Sequence, residues 1–340
     1  MMFVTKIIAL HILFLSVHCK ETSDSRILVF TVATEAKDGY LRYLESAHEF
    51  NITPTVLGFG ETWKGGDDIK RKPGGGWKIN LLKEALAPYK TDTKNIFLFT
   101  DGYDVIFVNS LNEILNRFSR LNAKVLFGAE SYCWPDPELA SKYPEVTDGK
   151  RFLNSGMFMG YFPEILKLLE RETVEDTDDD QLFFTKAYLN EEFRNSIQLK
   201  LDHKSEIFQN INGAATELEI YTTESKEGGP EVYTIKNVVT HTEPLILHGN
   251  GPSKLTMNYL SNYVPKMWNS VEGCIKCKQN NVNLSDISVA EFPSVLLAIF
   301  IELNTPFLEE QLEKLHMLEY PKNRMHLFIH NAVSTVKCIV

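Results

Sequence analysis

Short runs of apolar residues alternate along the chain with segments in which apolar residues recur at helical spacing. The runs at 27–32 (ILVFTV) and 55–59 (TVLGF) predict buried strands, and the periodicity of 40–50 predicts a helix between them. This order favours a right-handed βαβ unit in a parallel sheet. The pattern further predicts a helix over 81–89 and strands over 95–100, 124–128 and 156–161. Together these elements predict an α/β fold whose ligand lies at the carboxyl ends of the strands.

A second strand–helix–strand pattern begins late in the chain. Residues 295–302 and 325–329 are strand-like, and 307–318 between them has helical spacing. One βαβ unit cannot cover both faces of a sheet, so this segment is predicted to be the start of an incomplete second α/β domain. The resulting division is a main domain over 20–264, a linker with a CxxC motif over 265–288, and the incomplete domain over 289–340.

The first residues are typical of a secretory signal peptide. Lys6 precedes an apolar run from Ile7 to Val17 that is too short to span a bilayer with ease, and small or polar residues follow it. We assign residues 1–19 to this peptide, and a buried first strand or helix is the alternative. No other segment reaches membrane-spanning length, so no transmembrane segment is expected.

The cysteines and two glycosylation sequons also suit a secretory route. After removal of the leader, four cysteines are candidates for disulfides, namely Cys133, Cys274, Cys277 and Cys338. Cys274 and Cys277 form a single CxxC, for which a local disulfide is favoured over a zinc site with four ligands. Asn51 and Asn283 each begin an N-x-S/T sequon, which is an acceptor for N-glycans in secreted proteins.

Composition and charge restrict the class of partner. Of the 340 residues, 44% are hydrophobic and 24% are charged, which is ordinary for a globular protein and excludes a disordered or collagen-like chain. The formal net charge of −10 argues against binding to the phosphate backbone of nucleic acids, which needs a basic face. We therefore expect no nucleic acid partner. A small basic pocket for a nucleotide is compatible with this charge.

Two acidic residues follow the strand predicted at 95–100. Asp101 and Asp104 stand three residues apart around a tight turn, and their carboxylates can converge on one cation. Hard divalent cations such as Mg²⁺ and Mn²⁺ prefer oxygen ligands and bridge well to phosphates. A polar turn with two solvated carboxylates is the alternative.

The sequence HGNGPSK, at 248–254, favours the metal interpretation. His248 follows an apolar run and can complete a metal site that already has carboxylates. Gly249 and Gly251 let backbone amides approach phosphate oxygens closely, and Lys254 adds a positive charge. The two motifs together predict a cation bound beside a diphosphate, and a Gly-Asn turn with an incidental histidine is the alternative.

Two further clusters remain open between a functional and a structural role. The acidic run 178–180 (DDD) precedes an amphipathic segment, where it can cap a helix, form a solvated face or line a site. Glu130 and Trp134 follow the strand predicted at 124–128. A carboxylate and an exposed aromatic ring in this position suit sugar binding, and ordinary packing is the alternative for Trp134.

Eight sequence motifs together resemble one family. They are FTVATEAKDGYLRYLESAHEFN, GGGWK, FTDGYDV, GAESYCWPD, GKRFLNSG, DDDQLFFTKAYL, LDHKSEIFQNING and LHGNGPSK. From residue 27 to about 331 the chain is similar to the amino-terminal part of the procollagen-lysine 2-oxoglutarate 5-dioxygenases, or lysyl hydroxylases. The pair Cys133 and Trp134 makes it most similar to the multifunctional kind of member that also glycosylates hydroxylysine.

The resemblance implies a GT-A type, Rossmann-like glycosyltransferase domain, followed by the start of a related accessory domain. It also implies that the family's dioxygenase domain, with its cofactors Fe²⁺, 2-oxoglutarate and ascorbate, is missing from this chain. The final residues, AVSTVKCIV, diverge from the family, so a truncated or alternatively spliced product is expected.

Site residues follow from the same resemblance. Asp101, Asp104 and His248 are implied as ligands of Mn²⁺. A UDP-sugar donor is implied to contact Val32, Ala33, Thr34, Trp63, Lys78, Asp101, Gly102, Tyr103, Gly251, Pro252, Ser253 and Lys254. The catalytic groups and the sugar and acceptor pocket are implied at Glu130, Trp134, Asp179, Asp180 and Asn250. Leu81 departs from the glycosylating member, which carries an additional tryptophan there.

These residues predict a Mn²⁺-dependent module that transfers glucose from UDP-glucose to galactosyl-hydroxylysine of collagen. Galactose transfer from UDP-galactose to hydroxylysine is the second choice. Two alternatives stay open: a truncated procollagen-lysine 5-dioxygenase without hydroxylase activity of its own, and a non-catalytic module that binds collagen or the full-length enzyme. The expected location is the lumen of the endoplasmic reticulum. No KDEL-type ending is present, so retention there would need a partner, and secretion is the alternative.

Overall fold

The computed structural model describes residues 25–66, 74–223, 232–263, 268–269, 273–274, 284, 287–301 and 308–332. The predicted signal peptide, the sequon at Asn283 and the disulfide candidates Cys277 and Cys338 lie outside these residues. The chain divides into two compact units, residues 1–275 and 276–340, and each is described by itself. This division lies inside the predicted linker, 265–288.

Helices and strands alternate through the first unit. In chain order they are β1 (Ile27–Val32), α1 (Asp38–Glu49), β2 (Thr55–Leu57), α2 (Gly76–Leu86), β3 (Ile96–Thr100), β4 (Val105–Phe107), α3 (Leu111–Arg120), β5 (Val125–Glu130), β6 (Phe152–Tyr161), α4 (Phe162–Leu169), α5 (Asp180–Leu189), α6 (Glu191–Ser196), β7 (Leu199–Asp202), β8 (Phe208–Asn210), β9 (Leu218–Thr223), β10 (Val232–Asn237), β11 (Ile246–His248), α7 (Lys254–Tyr263), β12 (Trp268–Asn269) and β13 (Gly273–Cys274).

The main sheet is mixed rather than wholly parallel. Its strand order is β2-β1-β3-β6-β5-β8-β11-β4, and β7 pairs with β5 beside this path. Strand β1 is parallel to β2 and β3, which confirms the parallel pairing predicted for the first strand–helix–strand unit. Strand β6 is antiparallel to both β3 and β5, and β4 is antiparallel to β11. The predicted α/β fold class is therefore confirmed, with antiparallel strands that the pattern did not reveal.

Strand β6 and helix α2 differ most from their predicted bounds. Strand β6 begins at Phe152 rather than 156, because the polar residues Asn154 and Ser155 interrupt the apolar pattern although both are buried. Helix α2 begins at Gly76 and ends at Leu86, with a 3-10 turn after it, instead of covering 81–89.

Helices cover the main sheet on both faces. On strand β3, Phe97 and Phe99 pack toward α2, α4 and α5, whereas Ile96 and Leu98 pack toward α1 and α3. Successive residues of a strand point to opposite faces, so a strand covered on both sides is apolar throughout. Phe127 of β5 adds to the first layer of the core and stacks on the Phe158 ring with centroids 4.5 Å apart. These layers fix the strand ends from which the site is built.

The second unit contains a parallel pair of strands joined through a helix. These are β14 (Val295–Ile301), α8 (Leu308–Met317) and β15 (Met325–Asn331), as the second strand–helix–strand pattern predicts. Large apolar side chains of both strands are exposed, including Leu296, Phe300 and Leu327. That exposure accords with an incomplete accessory domain, which stays a prediction.

Three features bear on the secretory interpretation. No helix in the described part of the chain has both the length and the apolar composition that crossing a bilayer requires. Asn51 is exposed in the turn that follows α1, so its sequon is accessible. Cys133 is a free thiol whose Sγ donates to the carbonyl oxygen of Asp136 at 3.3 Å, which corrects its place among the disulfide candidates.

Candidate metal and nucleotide site

Strand ends bring three metal-ligating side chains together. Asp101 follows β3 directly, Asp104 precedes β4, and His248 ends β11. The backbone N–H of Asp101 donates to the carbonyl oxygen of Gly156 at 2.8 Å, and that of Gly249 donates to the carbonyl oxygen of Asp104 at 2.7 Å. These two bonds tie both ends of the acidic turn to neighbouring strands, so the carboxylates are held at fixed positions.

One ligand atom from each of Asp101, Asp104 and His248 lies within 4.8 Å of the others. His248 Nε2 is 3.4 Å from Asp104 Oδ1 and 3.9 Å from Asp101 Oδ2. Two carboxylates and one imidazole suit a divalent cation such as Mn²⁺, which accepts both oxygen and nitrogen ligands. The structure thus brings together the three residues that the sequence placed at a metal, and their metal binding stays a prediction.

The charges of this group are strongly interdependent. Burial opposes ionisation of Asp104, but the neighbouring His248 and Lys254 charges outweigh it and lower the pKa of that carboxyl to about 2. Burial likewise works to lower the pKa of His248, and the Asp104 and Asp101 carboxylates reverse this, so that pKa is raised. A cation bound here would take the place of the imidazolium proton, and its affinity would therefore rise with pH.

Lys78 is a buried cation between two carboxylates. Its Nζ is 3.0 Å from Asp101 Oδ1 and 2.7 Å from Asp180 Oδ2. Burial acts to lower the pKa of the Lys78 ammonium, but the two carboxylates prevail and raise it above its ordinary value. For Asp101, burial is the main influence and raises the pKa, although the Lys78 charge works against it. Lys78 thereby joins the predicted metal ligand Asp101 to the acidic run.

Backbone pairing sets Lys78 beside Asp180. Gly75 adopts φ +111° and forms an isolated antiparallel bridge with Asp179. A Cβ at Gly75 would lie 2.7 Å from Asp180 Oδ1, so only glycine lets the loop before α2 approach this closely. The backbone N–H of Gly76 also donates to the carbonyl oxygen of Asp178 at 2.8 Å. The glycine run therefore has a structural purpose that the sequence motif did not reveal.

Asp179 and Asp180 have different surroundings at the start of α5. Asp179 is the N-cap, and its Oδ1 accepts from the backbone N–H of Leu182 at 2.6 Å, as the helix-capping alternative predicts. Burial, with the Asp180 charge adding to it, raises the pKa of Asp179 to about 6. Asp180 is buried and faces Lys78. One oxygen of Asp179 is therefore used in capping, and Asp180 contacts Lys78 of the candidate site.

Glu130 ends β5 and is only 2% exposed. Its Oε1 accepts from Asn154 Nδ2 at 3.0 Å and from Gln181 Nε2 at 2.8 Å, and its Oε2 accepts from Asn250 Nδ2 at 3.3 Å. Trp134, by contrast, is 52% exposed, so its ring is available to a ligand. Of the two residues predicted to suit sugar binding, Glu130 is therefore a buried, hydrogen-bonded carboxylate, and Trp134 is an exposed aromatic ring four residues later.

Asn250 presents an unsatisfied oxygen. Its Nδ2 faces Glu130, whereas its Oδ1 is buried and has no hydrogen-bond partner among the described residues. A buried acceptor without a donor costs free energy, of the order of 1–3 kcal/mol. A hydroxyl group of a bound ligand would remove this cost.

Most of the residues predicted to hold the nucleotide lie at or just after the ends of three strands, β1, β3 and β11. Tyr103 OH accepts from the backbone N–H of Thr34 at 3.0 Å, and a Cβ at Gly102 would lie 2.8 Å from the carbonyl oxygen of Val32. The end of β1 and Ala33, which follows it, are thereby joined to the acidic turn. Gly251, Pro252 and Ser253 form a 3-10 turn, and the exposed Lys254 begins α7 with its Nζ 3.7 Å from Asp104 Oδ2.

Trp63 is also predicted to contact the UDP-sugar, but its hydrogen bond and its ring contact are with residues outside this cluster. Its ring is partly exposed and packs edge-on against Trp77, with centroids 5.4 Å apart. Its Nε1 donates to the carbonyl oxygen of Gly66 at 2.9 Å. Leu81, the position of the family's additional tryptophan, lies one turn after Trp77 on α2. These two positions therefore belong to the neighbourhood of α2 rather than to the acidic turn.

Four contributors have no role in the sequence prediction, although all of them occur inside the quoted motifs. Asn154 and Asn210 contact the His248 ring, and Gln181 contacts Glu130. Gly156 gives the ring its space, because a Cβ there would lie 2.2 Å from His248 Cε1. Both asparagines are buried amides, which need partners, but no local sequence pattern shows that they are buried.

Replacement of Gly156 by alanine should displace the His248 ring. The added methyl group overlaps the imidazole, so we expect Mn²⁺ affinity to fall by at least about tenfold. Losses of about 10- to 100-fold are usual when the groups that orient a metal ligand are changed. Overpacking should also cost about 1–3 kcal/mol of unfolding free energy. Calorimetric Mn²⁺ titration and thermal unfolding measure the two effects. Met159→Leu, a volume-conserving change in the same strand, is the control, and wild-type Mn²⁺ affinity in Gly156→Ala would contradict the prediction.

Comparison with known proteins agrees with this geometry. The family profile described as the PLOD GT domain matches residues 23–274. The chain is 46% identical over 333 residues to the procollagen-lysine,2-oxoglutarate 5-dioxygenase of Drosophila melanogaster, which covers 96% of this chain and 44% of that protein. It is 45% identical over 309 residues to the human multifunctional procollagen lysine hydroxylase and glycosyltransferase LH3, covering 91% of this chain and 41% of LH3.

The chain thus spans about two-fifths of the length of these relatives. The crystal structure of a glycosyltransferase involved in the glycosylation of the major capsid of PBCV-1 matches 69% of this chain and 98% of its own, at 12% identity and a TM-score of 0.40. Because the PLOD GT profile covers well over half of the residues, the chain belongs to the PLOD glycosyltransferase domain family.

Proposed function

We propose that this chain is a Mn²⁺-dependent glycosyltransferase module that transfers glucose from UDP-glucose to galactosyl-hydroxylysine of collagen. Galactose transfer from UDP-galactose to hydroxylysine is the second choice. The observation that carries the proposal is the close approach of Asp101, Asp104 and His248, each beside a strand end, in a member of this family. The names of the relatives, which join procollagen lysine hydroxylase to glycosyltransferase, support collagen as the acceptor.

The proposed transfer breaks the bond from the anomeric carbon of the donor sugar to the diphosphate oxygen and forms a bond from that carbon to the acceptor oxygen. A bound Mn²⁺ would supply positive charge that offsets the charge on the departing diphosphate. Asp101, Asp104 and His248 are the residues that would hold this ion, and Lys254 would add a positive charge near the phosphates.

The acceptor hydroxyl must lose its proton in this reaction, and we assign Asp179 as the group that takes it. Burial and the Asp180 charge set the Asp179 pKa at about 6, so this carboxyl is ionised at neutral pH and can still accept a proton. A base whose pKa lies near the working pH is the most effective. Lys78 offsets the charge of Asp180, which allows two adjacent carboxylates to remain at the same helix start.

Sugar recognition is assigned to the other end of the site. Asn250 Oδ1 would accept from a sugar hydroxyl, because it is buried and has no donor among the described residues. Glu130, held by three amide groups, orients Asn250. The exposed Trp134 ring would stack on a sugar face.

Incubation of the purified chain with UDP-glucose, Mn²⁺ and a galactosyl-hydroxylysine peptide tests the proposal. We expect glucose incorporation that stops when a chelator removes the metal. A parallel reaction with UDP-galactose and a hydroxylysine peptide decides between the two donors. Absence of transfer in both reactions, with Mn²⁺-dependent UDP binding intact, would refute catalysis and favour a binding module, which a pull-down with collagen and the full-length enzyme would examine.

A truncated procollagen-lysine 5-dioxygenase without hydroxylase activity of its own is the alternative, and Fe²⁺, 2-oxoglutarate and ascorbate would serve only the family's dioxygenase domain. Within the described ranges, one group of His, Cys, Asp and Glu side chains can hold a metal ion, and it is the group assigned here to sugar transfer. The lumen of the endoplasmic reticulum is the proposed location, and the full-length family enzyme is a proposed partner.

A further inference from the structure

The imidazole of His248 has two amide oxygens on the side that faces away from the carboxylates. His248 Nδ1 lies 3.0 Å from Asn154 Oδ1 and 2.9 Å from Asn210 Oδ1. Its Nε2 points the other way, toward Asp104 and Asp101. The two ring nitrogens thus face chemically different surroundings.

The orientation of each amide is fixed by its other partners. Asn154 Nδ2 donates to Glu130 Oε1 at 3.0 Å, and Asn154 Oδ1 also accepts from the backbone N–H of Gly156 at 3.0 Å. Asn210 Nδ2 donates to the carbonyl oxygen of Ala129 at 2.9 Å. Rotation by 180° would place the oxygen of either amide against an acceptor, Glu130 Oε1 or the Ala129 carbonyl. In Asn154 it would also place the NH₂ group against the N–H of Gly156. Both oxygens therefore face His248.

An oxygen of a neutral amide can only accept, so the ring nitrogen between two such oxygens must donate. His248, Asn154 and Asn210 are each at most 3% exposed, which leaves solvent little access to this side of the ring. Glycines on adjacent strands make the arrangement possible. A Cβ at Gly128 would lie 2.9 Å from Asn210 Nδ2, and one at Gly156 would overlap the ring.

We propose that Asn154 and Asn210 are positioning residues that hold the proton of the His248 ring on Nδ1 and thereby reserve Nε2 for a divalent cation. This inference rests on the metal site of the proposed function. A neutral imidazole binds a metal through the nitrogen that lacks a proton, and the hydrogen bond at the other nitrogen selects which one that is. Asn154 also contacts Glu130, so the same network joins the metal ligand to the proposed sugar pocket.

Substitutions at Asn210 separate this role from a merely structural one. Asn210→Leu removes both the acceptor for Nδ1 and the donor to Ala129. Asn210→Asp keeps an acceptor oxygen opposite Nδ1 but loses the donor to Ala129. If the asparagine acts on the ring, Asn210→Leu should weaken Mn²⁺ binding by roughly 10- to 100-fold, and Asn210→Asp should restore it to near the wild-type value.

The measurement is the Mn²⁺ dissociation constant of the full chain without nucleotide, by electron paramagnetic resonance of the free ion, beside a thermal unfolding curve. Asn237→Leu is the control, because Asn237 is a fully buried amide that donates to Gln209 Oε1 at 2.9 Å and makes no hydrogen bond to the imidazole. It should leave Mn²⁺ affinity unchanged. Where Asn210→Leu does not fold, Asn210→Ala removes the same acceptor without added bulk.

Three results would overturn the inference while the metal site stands. They are unchanged Mn²⁺ affinity in Asn210→Leu, equal losses in Asn210→Leu and Asn210→Asp, and an equal loss in the Asn237→Leu control. Failure of the wild-type chain to bind Mn²⁺ at all is a different result, and it would refute the metal site of the proposed function together with this inference.

Discussion

Replacement of Asp101 by alanine is expected to abolish Mn²⁺-dependent binding of UDP. Asp101 supplies one of the three ligand atoms that lie within 4.8 Å of one another, and no other carboxylate belongs to that group among the described residues except Asp104. Loss of a direct ligand should weaken Mn²⁺ binding by more than the roughly 10- to 100-fold that loss of an indirect partner causes. Sugar transfer should then fall by at least about 100-fold, since the metal contributes several kcal/mol to the transition state.

The fold should survive this change. Burial raises the pKa of Asp101, which means that its ionised form is costly in the folded chain, and Lys78 keeps Asp180 as a partner at 2.7 Å. A retained unfolding transition would therefore accompany the loss of binding. Titration of UDP with and without Mn²⁺ measures the effect, and Asp148→Ala is the control because Asp148 lies in an exposed pair with Lys204. Preserved Mn²⁺-dependent UDP binding in Asp101→Ala would place the metal elsewhere.

The sequence pattern was most informative where strands are buried on both faces. Strand β3 is fully buried, and its five apolar or small residues stand out from their surroundings. The same holds for β1, which is buried at every residue except the half-buried Leu28. Such runs are long enough to carry a signal, and the helical spacing between them supplies the connection. Element type and order could therefore be predicted from local composition.

The short strands and the antiparallel pairings could not be predicted from local composition. Strands β4 and β8 have three residues each, fewer than the roughly four to eight over which an alternating pattern can be recognised. The antiparallel placement of β6 between β3 and β5 depends on pairing across distant parts of the chain. Local patterns do not encode partner choice, because strand pairing is selected by the packing of the whole sheet.

The candidate site divides along similar lines. Charged and metal-ligating residues at strand ends could be predicted, because Asp101, Asp104 and His248 have side chains whose chemistry suggests a cation. The neutral amides Asn154 and Asn210 could not be predicted in this way. Asparagine occurs both in turns and beside buried rings, and the sequence alone does not distinguish the two roles. Their importance arises from contacts between residues far apart in sequence. The net charge of the chain was equally uninformative, because it says nothing of where the carboxylates meet.

Exchange of Lys78 for methionine should lower the free energy of unfolding more than any other substitution considered. Methionine keeps most of the length of the side chain but leaves Asp101 and Asp180, at 3.0 and 2.7 Å from the present ammonium, without the cation between them. Removal of one partner from a buried ion pair costs about 3–5 kcal/mol. The carboxylates would respond with higher pKa values, so the loss should be greatest at neutral pH and diminish toward acidic pH, where protonation removes the repulsion.

Added Mn²⁺ should restore part of this stability, because a cation held by Asp101 supplies positive charge where the ammonium was. The increase in melting temperature caused by Mn²⁺ should therefore be larger in Lys78→Met than in the wild type, as expected for a ligand that binds only the folded chain. Lys83→Met on the same helix is the control, since Lys83 donates to the carbonyl oxygen of Glu172 and should cost only about 0.5–1.5 kcal/mol. Equal Mn²⁺ effects in Lys78→Met and wild type would separate Lys78 from the metal site, and wild-type stability would disprove its role as the cation of this acidic cluster.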